Sequence, residues 1–515
     1  MTQDNNDDST IHVYSSALEM AAAIRTGTIT SRELVEQHIA RIERLDHWKI
    51  NAVVLRDFDT ARAQADKADE MVRNGESLLL GPFHGVPLTL KESIFTPNFK
   101  TTMGDPKFWV PPGAHSETAR LMMEDGGAIL MGKTNLCKNA LDWESNNPIY
   151  GATSNPFDTT KSPGGSSGGA AAALAAGFTP LEVGTDLGGS VRIPAAMNGV
   201  VGHCATRGIV PAPNPVFNWP CCGGFATRQI GKMLDELLWM ARAGPLARTV
   251  PDVQAMLQVL GGDRAASLPQ PTLLQGLKGA RVGIWRSHSV CPPGKEVSNA
   301  LDLAVAALKA AGANVEELQP PMDPMETYLV YLRFLGPITG AFMTEEQKTN
   351  VQKGCPQDSY PKEMKSPYWE FDVSAIQGVP KGNMEAYHKA MDIWDKFLKD
   401  HYDAVLCPVF SREAWPKESP PYAVLPDHKT GARKFTVDDD EDRYYGDNLF
   451  WAHLSVLCGF PATSFPVCRT KEDGLPVGLQ AFGCRESDFV VLDVVQKLTQ
   501  QLQMDQFEPP HDFSL

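Results

Sequence analysis

The chain reads as an α/β protein. Three observations predict this class. A strand, a helix and a second strand follow one another at Val282–Ile284, Ser298–Gly312 and Val315–Leu318. The short apolar strands Val86–Leu90 and Ile129–Met131 bracket a helical stretch, and an alanine-rich helix leads into Leu181–Val183. Strands alternating with helices are the pattern of a sheet covered by helices, and strand–helix–strand is the βαβ unit. Composition allows the core this needs: 43% of the 515 residues are hydrophobic and 21% charged, as in ordinary globular chains. The net charge of −15 argues against a nucleic-acid surface, which needs clustered Lys and Arg.

The elements follow in order. Residues 14–45 carry helices; Leu34, Val35, Ile39, Ile42 and Leu45 recur at helical spacing, with Thr30 or Ser31 as N-cap. A charged, Ala-rich helix over 60–74 stops at Gly75. VPLTL alternates as a strand, and Lys91 follows directly, placed to project from the sheet edge into a crevice. On its own Lys91 reads as a solvated surface lysine. Residues 116–130 read as helix, glycine turn and strand. From Gly127, GAILMGKT matches a phosphate-loop pattern, but AILM is the strand itself where such a loop would need its bend. Residues 229–259 hold two helix-like segments separated by GPLARTVPD, the second capped by Thr249 or Asp252. Ala404–Pro408 is a strand, Pro461–Pro466 and Leu475–Gln480 flank a turn at Asp473-Gly474, and 486–503 is a helix.

Residues 319–440 carry many prolines and aromatics, among them Pro361, Tyr368, Trp369, Trp415 and Tyr422, and read as an irregular insertion or lid. The expected layout is a helical segment at 1–80, a core at 81–318, the insertion at 319–440 and the rest of the core at 441–515, all one large domain. Met325–Met343 is apolar but broken by Arg333, Gly336, Pro337 and Gly340, so it reads as a core or pocket-lining helix. Asp438–Asp442 reads as a solvated acidic loop without EF-hand spacing. The ten cysteines show no CxxC or zinc-type spacing and suit a reducing compartment. The N-terminus lacks a signal-peptide pattern and no run of about 18 apolar residues occurs, so a cytoplasmic location is expected.

Chemistry concentrates in residues 161–199. KSPGGSSGG places Ser166 and Ser167 before the helix AAAALAAG, where lone serines would only cap it. GTDLGGS is a glycine-rich turn; successive amides at Leu187, Gly188, Gly189 and Ser190 can curl into a nest for an oxyanion. A serine beside such donors is the acyl-transfer arrangement. The stretch holds no histidine, and Ser190 lies in G-G-S-V-R, outside a nucleophile elbow. His203 or His84 reaching Ser190 through space stays open, as does a buried neutral lysine.

GGSSGGAAAALAAG and GTDLGGSVRIPAA resemble the signature of the amidase signature family of serine hydrolases. GVPLTLKES, GKTN, YGATSNPFD, GPLARTVPD, GFPATSFPV and DGLPVGLQAFG extend the resemblance over roughly residues 80–260 and 400–485. It implies a mixed β-sheet core flanked by helices and a Ser-cisSer-Lys triad. Ser190 matches the nucleophile, Ser166 the bridging serine at a cis peptide, and Lys91 the base. Ser167, Thr185, Asp186 and Arg192 match supporting positions, Leu187–Ser190 the oxyanion amides, and Ala140 a position whose backbone contacts substrate. No cofactor or metal is implied. The sequence departs at GHCATRG after the signature and at Glu92, where Asp is common.

The implied activity is hydrolysis of a carbon–nitrogen amide bond through a Ser190 acyl-enzyme. SNNPIYGATSNPFDTTKSPGGSSGG is similar to the hydrophobic-amide branch, so a bulky apolar acyl or aryl amide is expected, with esters or carbamates as further substrates. The expected partners are a small-molecule substrate and no nucleic acid, with room for a homodimer. Two other readings stand beside it. A glutamine-dependent amidotransferase subunit is disfavoured by the acidic charge and divergent middle region. A non-catalytic binding protein on the same fold is disfavoured by the intact Lys91, Ser166 and Ser190.

Overall fold

A computed structural model of the chain describes residues 11–76, 80–113, 116–212, 238–271, 276–340, 378–417 and 434–513. Eleven strands form one sheet: β1 (Val53–Arg56), β2 (Pro87–Lys91), β3 (Ile129–Thr134), β4 (Leu181–Asp186), β5 (Val201–Cys204), β6 (Arg242–Ala247), β7 (Arg281–Ile284), β8 (Asn314–Glu317), β9 (Ala404–Pro408), β10 (Ala462–Arg469) and β11 (Pro476–Phe482). Their order is β1-β3-β2-β4-β6-β5-β10-β11-β9-β7-β8. β3, β2 and β4 run parallel, as do β9, β7 and β8; antiparallel pairs join the two groups, so the sheet is mixed.

Besides the single-turn helices Glu117–Arg120 and Asp263–Ala266, the α-helices of the described residues are α1 (Ala17–Thr26), α2 (Ser31–Leu45), α3 (Phe58–Arg73), α4 (Gly168–Ala175), α5 (Arg192–Met197), α6 (Val250–Gly261), α7 (Lys295–Ala310), α8 (Pro324–Gly340), α9 (Asn383–His401), α10 (Leu449–Cys458) and α11 (Asp488–Gln501). Thr30, not Ser31, caps α2: its hydroxyl accepts from Glu33 N, and Glu33 reaches back to the Thr30 amide. Ser31 lies inside the helix and donates its hydroxyl to Gly85 O at 2.7 Å. Thr249 caps α6. β7, α7 and β8 form the expected parallel βαβ unit.

The sheet's two faces are packed differently, and this positions the site. Leu88, Leu90, Leu181 and Val183 point to one layer, with Val253, Met256 and Leu257 of α6. On the other face α4 packs its alanines with Val191, Ala195 and Leu246. Alternation along a strand therefore sends Thr89, Lys91 and Glu182 beneath α4.

Two expectations are corrected. GPLA is part of β6 rather than a connector between helices. Its glycine is required by close approach, since a Cβ on Gly244 would lie 2.3 Å from His203 O. The first of those two helix-like segments falls mostly on residues outside those described. Residues 319–440 are also more regular than their composition suggests: α8, α9 and β9 lie within them, and β9 is an interior strand of the sheet. Proline and aromatic content misled because Pro337 sits inside α8, while Tyr328, Trp394 and Phe410 build a second apolar core. Pro361, Tyr368, Trp369, Tyr422, Cys221, Cys222 and Cys355 lie outside the described residues.

The expected core helix over Met325–Met343 is α8, buried along most of its length. The acidic run begins in a hairpin turn at Asp438-Asp439 and continues into the strand Asp440–Tyr444, and the Asp438 carboxylate accepts from Lys295 N at the start of α7. Among the described residues no helix is long and apolar enough to cross a membrane. GAILMGKT is strand through Thr134, so no phosphate loop forms there.

Candidate active site

Lys91 is the last residue of β2, and its side chain is fully buried rather than solvated. Its Nζ donates to Ser166 Oγ at 2.6 Å and to Thr185 Oγ1 at 2.9 Å, with Thr185 O at 3.4 Å. Burial disfavours the ammonium form and lowers its pKa from 10.5 to about 8, against the opposing pull of Cys137, Asp186 and Glu182. The ammonium has a donor for each of these oxygens. The neutral amine exposes a lone pair, so the Ser166 hydroxyl can then donate to Nζ.

Ser166 follows a cis peptide bond with Gly165. The surrounding glycines are set by contact: a Cβ on Gly165 would lie 2.7 Å from Trp143 C, and one on Gly169 2.4 Å from Asn135 N. Capping does not explain the serines. Ser167 stands at the N-cap of α4 without a side-chain cap bond, and the Gly168 amide donates instead to Ser145 Oγ at 2.8 Å. Ser167 Oγ faces the Thr185 backbone at 3.4 Å, and its amide donates to Ser190 O at 3.1 Å.

The turn carrying Ser190 is held by Asp186. That carboxylate accepts from Gly189 N (2.9 Å), Val191 N (3.0 Å), Arg192 Nε (3.1 Å) and Arg192 Nη2 (3.0 Å). Both side chains are wholly buried, so the pair is an interior ion pair. Burial alone would raise the Asp186 pKa, but the Arg192 guanidinium holds it well below the usual carboxylate range. Arg192 also donates to Ser455 Oγ and Gln480 Oε1, both at 2.7 Å, tying the turn to α10 and β11.

One of the expected oxyanion donors is already engaged, since Gly189 N–H serves Asp186. Among the described residues no hydrogen bond engages the amides of Leu187, Gly188 or Ser190. The carbonyls of Leu187 and Gly188 accept from Tyr331 Oη and Trp143 Nε1, each at 2.9 Å. Ser190 is 7% exposed, against 0% for Lys91 and 1% for Ser166, so of these three it is the one open to a substrate.

Ala140 sits in the loop after β3, where it and Asn139 adopt positive φ (57° and 56°). Its amide donates to Cys137 O, leaving its carbonyl as the group it can offer. Glu92, the departure beside the lysine, supports this loop indirectly. It accepts from Thr102 N at 2.6 Å and Met103 N at 3.0 Å, and Met103 O accepts from Asn139 N at 2.7 Å.

Neither candidate histidine serves Ser190. His203 is buried between Thr463 Oγ1 (2.9 Å) and Asp488 Oδ1 (3.2 Å), and His84 Nε2 meets Ala68 O at 3.0 Å. Sequence reading missed Trp143, Tyr331 and Ser145, which fix the two serine turns. Only Tyr331 left a signal, as part of the apolar helix expected to line a pocket.

The amidase family model matches residues 33–492. One component of the glutamyl-tRNA(Gln) amidotransferase of Streptomyces coelicolor is 30% identical over 500 residues, covering 90% of this chain and 91% of that one. A bacterial aryl acylamidase of the amidase signature family shares the fold with TM-score 0.71 and 24% identity, covering 96% of this chain and 99% of that one. The crystal structure of an amidase gives TM-score 0.71 and 26% identity, covering 95% of this chain and all of that one. With the family model spanning most of its length, the chain belongs to the amidase signature family.

Proposed function

We propose that this chain hydrolyses amides through a Ser190 acyl-enzyme, with Lys91 and Ser166 as its proton relay. The observation that carries the reading is the 2.6 Å bond from a fully buried Lys91 to Ser166 Oγ. Neutral Lys91 accepts the Ser166 proton as Ser166 accepts that of Ser190, and Ser190 Oγ bonds to the amide carbonyl carbon. Charge develops on the carbonyl oxygen, where the free amides of the Leu187–Ser190 turn are its candidate donors. The proton returns through Ser166 to the leaving nitrogen, the C–N bond breaks, and water then hydrolyses the ester to release the acid. Thr185 holds Lys91 in place, Asp186 and Arg192 hold the turn, and Ser167 supports the backbone between the serines.

The substrate we assign is a bulky apolar acyl or aryl amide, with esters and carbamates as further candidates. Its support is the aromatic shell against the turn. Trp143 is bonded to Gly188 O and meets Phe410 and Tyr445 edge-on, at ring separations of 5.4 and 4.9 Å. A second reading, a glutaminase component of an amidotransferase, draws on the similarity to the glutamyl-tRNA(Gln) amidotransferase component. Turnover of anilides and acyl amides of graded length by the purified chain, beside glutamine, separates the two. We expect turnover of the apolar amides by the chain alone. Glutamine hydrolysis that appears only with added partner subunits would contradict the assignment.

A further inference from the structure

Beneath α4 the sheet carries a buried carboxyl that the relay does not use. Strand register pairs Thr89 of β2 with Glu182 of β4 and Leu90 with Val183. Lys91 therefore lies on the same face as Glu182, two residues further along β2. Both side chains are fully buried. The hydroxyls of Thr89 and Thr134 face the Glu182 carboxyl, yet neither they nor its two oxygens complete a hydrogen bond of normal length and angle. The helix over this strip, GGAAAALA, offers no polar side chain. A carboxylate in such a setting is costly unless a positive charge lies near or a proton neutralises it.

The charged and titratable groups around the strip are few. From β2 there is Lys91; from the loop after β3, Cys137. Further along β4 lies Asp186, already neutralised by Arg192 and faced by Arg242 from β6. Lys91 is thus the cation left to interact with Glu182.

We propose that Glu182 is a positioning residue of the relay: its buried carboxyl is electrostatically coupled to the Lys91 amine on the same face of the sheet, and the carboxylate form strengthens Lys91 as a base. The proposal rests on Lys91 being the base. Burial pulls the two groups toward each other, lowering Lys91 to about 8 and raising Glu182 to about 8, so they titrate in one range. A bare buried lysine would be a weaker base; an ionised Glu182 offsets part of that loss.

The test is the pH dependence of kcat/KM for the wild-type chain and Glu182→Gln. We expect the midpoint of the acid limb to fall by roughly half a pH unit or more, about threefold in the protonation constant. An unmoved midpoint overturns the coupling. Infrared titration of the buried carboxyl in Lys91→Ala gives the reciprocal measurement. Without Lys91 the carboxyl keeps its proton to higher pH; titration at the wild-type pH overturns the pair. This readout needs no turnover. Retained activity in Lys91→Ala would refute Lys91 as base, and that failure is distinct from failure of the coupling.

Discussion

Burial of Lys91 lowers its pKa to about 8, and its proposed role as base makes the activity pH-dependent. Burial thus favours the neutral amine as pH rises through that range. Activity governed by this group rises with pH through a midpoint near 8. Measurement of kcat/KM from pH 6 to 10 checks this; a profile flat across the range would contradict it. Lys91→Ala should lower kcat by about 10²–10⁴-fold while leaving the circular-dichroism spectrum unchanged. The Asp186–Arg192 pair belongs to the same scale. Asp186→Asn leaves Arg192 buried without its countercharge and should cost about 3–5 kcal/mol in urea unfolding. A loss below about 1 kcal/mol would show that the pair does not hold the turn.

At the level of elements, the serine turns are shaped by what touches them. The N-terminus of α4 approaches the loop after β3 so closely that Gly169→Ala would place a Cβ 2.4 Å from Asn135 N. That clash is with backbone, so the substitution should cost about 1–3 kcal/mol by urea midpoint and weaken probe labelling of Ser190. Full stability in the variant would mean that the loop yields freely. Glycine-framed serines were readable in the sequence because their residue types suit acyl transfer; Lys91 was marked only by the family resemblance, since nothing local distinguishes it from a surface lysine. The strand β6 was not readable, because the glycine that read as part of a separator between helices is fitted to a tight neighbour, His203. Tyr331 and Trp143 act through one hydrogen bond each to a distant carbonyl, and local pattern holds no trace of such pairing. The same limit applies to the Gly189 amide: its spacing suited an oxyanion nest, but Asp186 takes it.

Across the whole molecule, β2 and β4 bring Lys91 and the Ser190 turn together as neighbouring strands, although they are far apart in sequence. Arg192 then joins that half to α10 and β11 from the C-terminal part of the chain. The α/β class and the βαβ unit were legible from periodicity; strand order was not, since it depends on non-local pairing. Residues 319–440 were misjudged as irregular because their aromatics fill a second core instead of forming a simple amphipathic stripe. The most direct test of Ser190 as nucleophile is reaction of the intact chain with a serine-directed phosphonate, followed by peptide mapping. The Lys91–Ser166–Ser190 relay predicts one labelled residue, Ser190, with labelling lost in Ser190→Ala and slowed in Lys91→Ala. Labelling at Ser166 or elsewhere, or full amide turnover by Ser190→Ala, would contradict it.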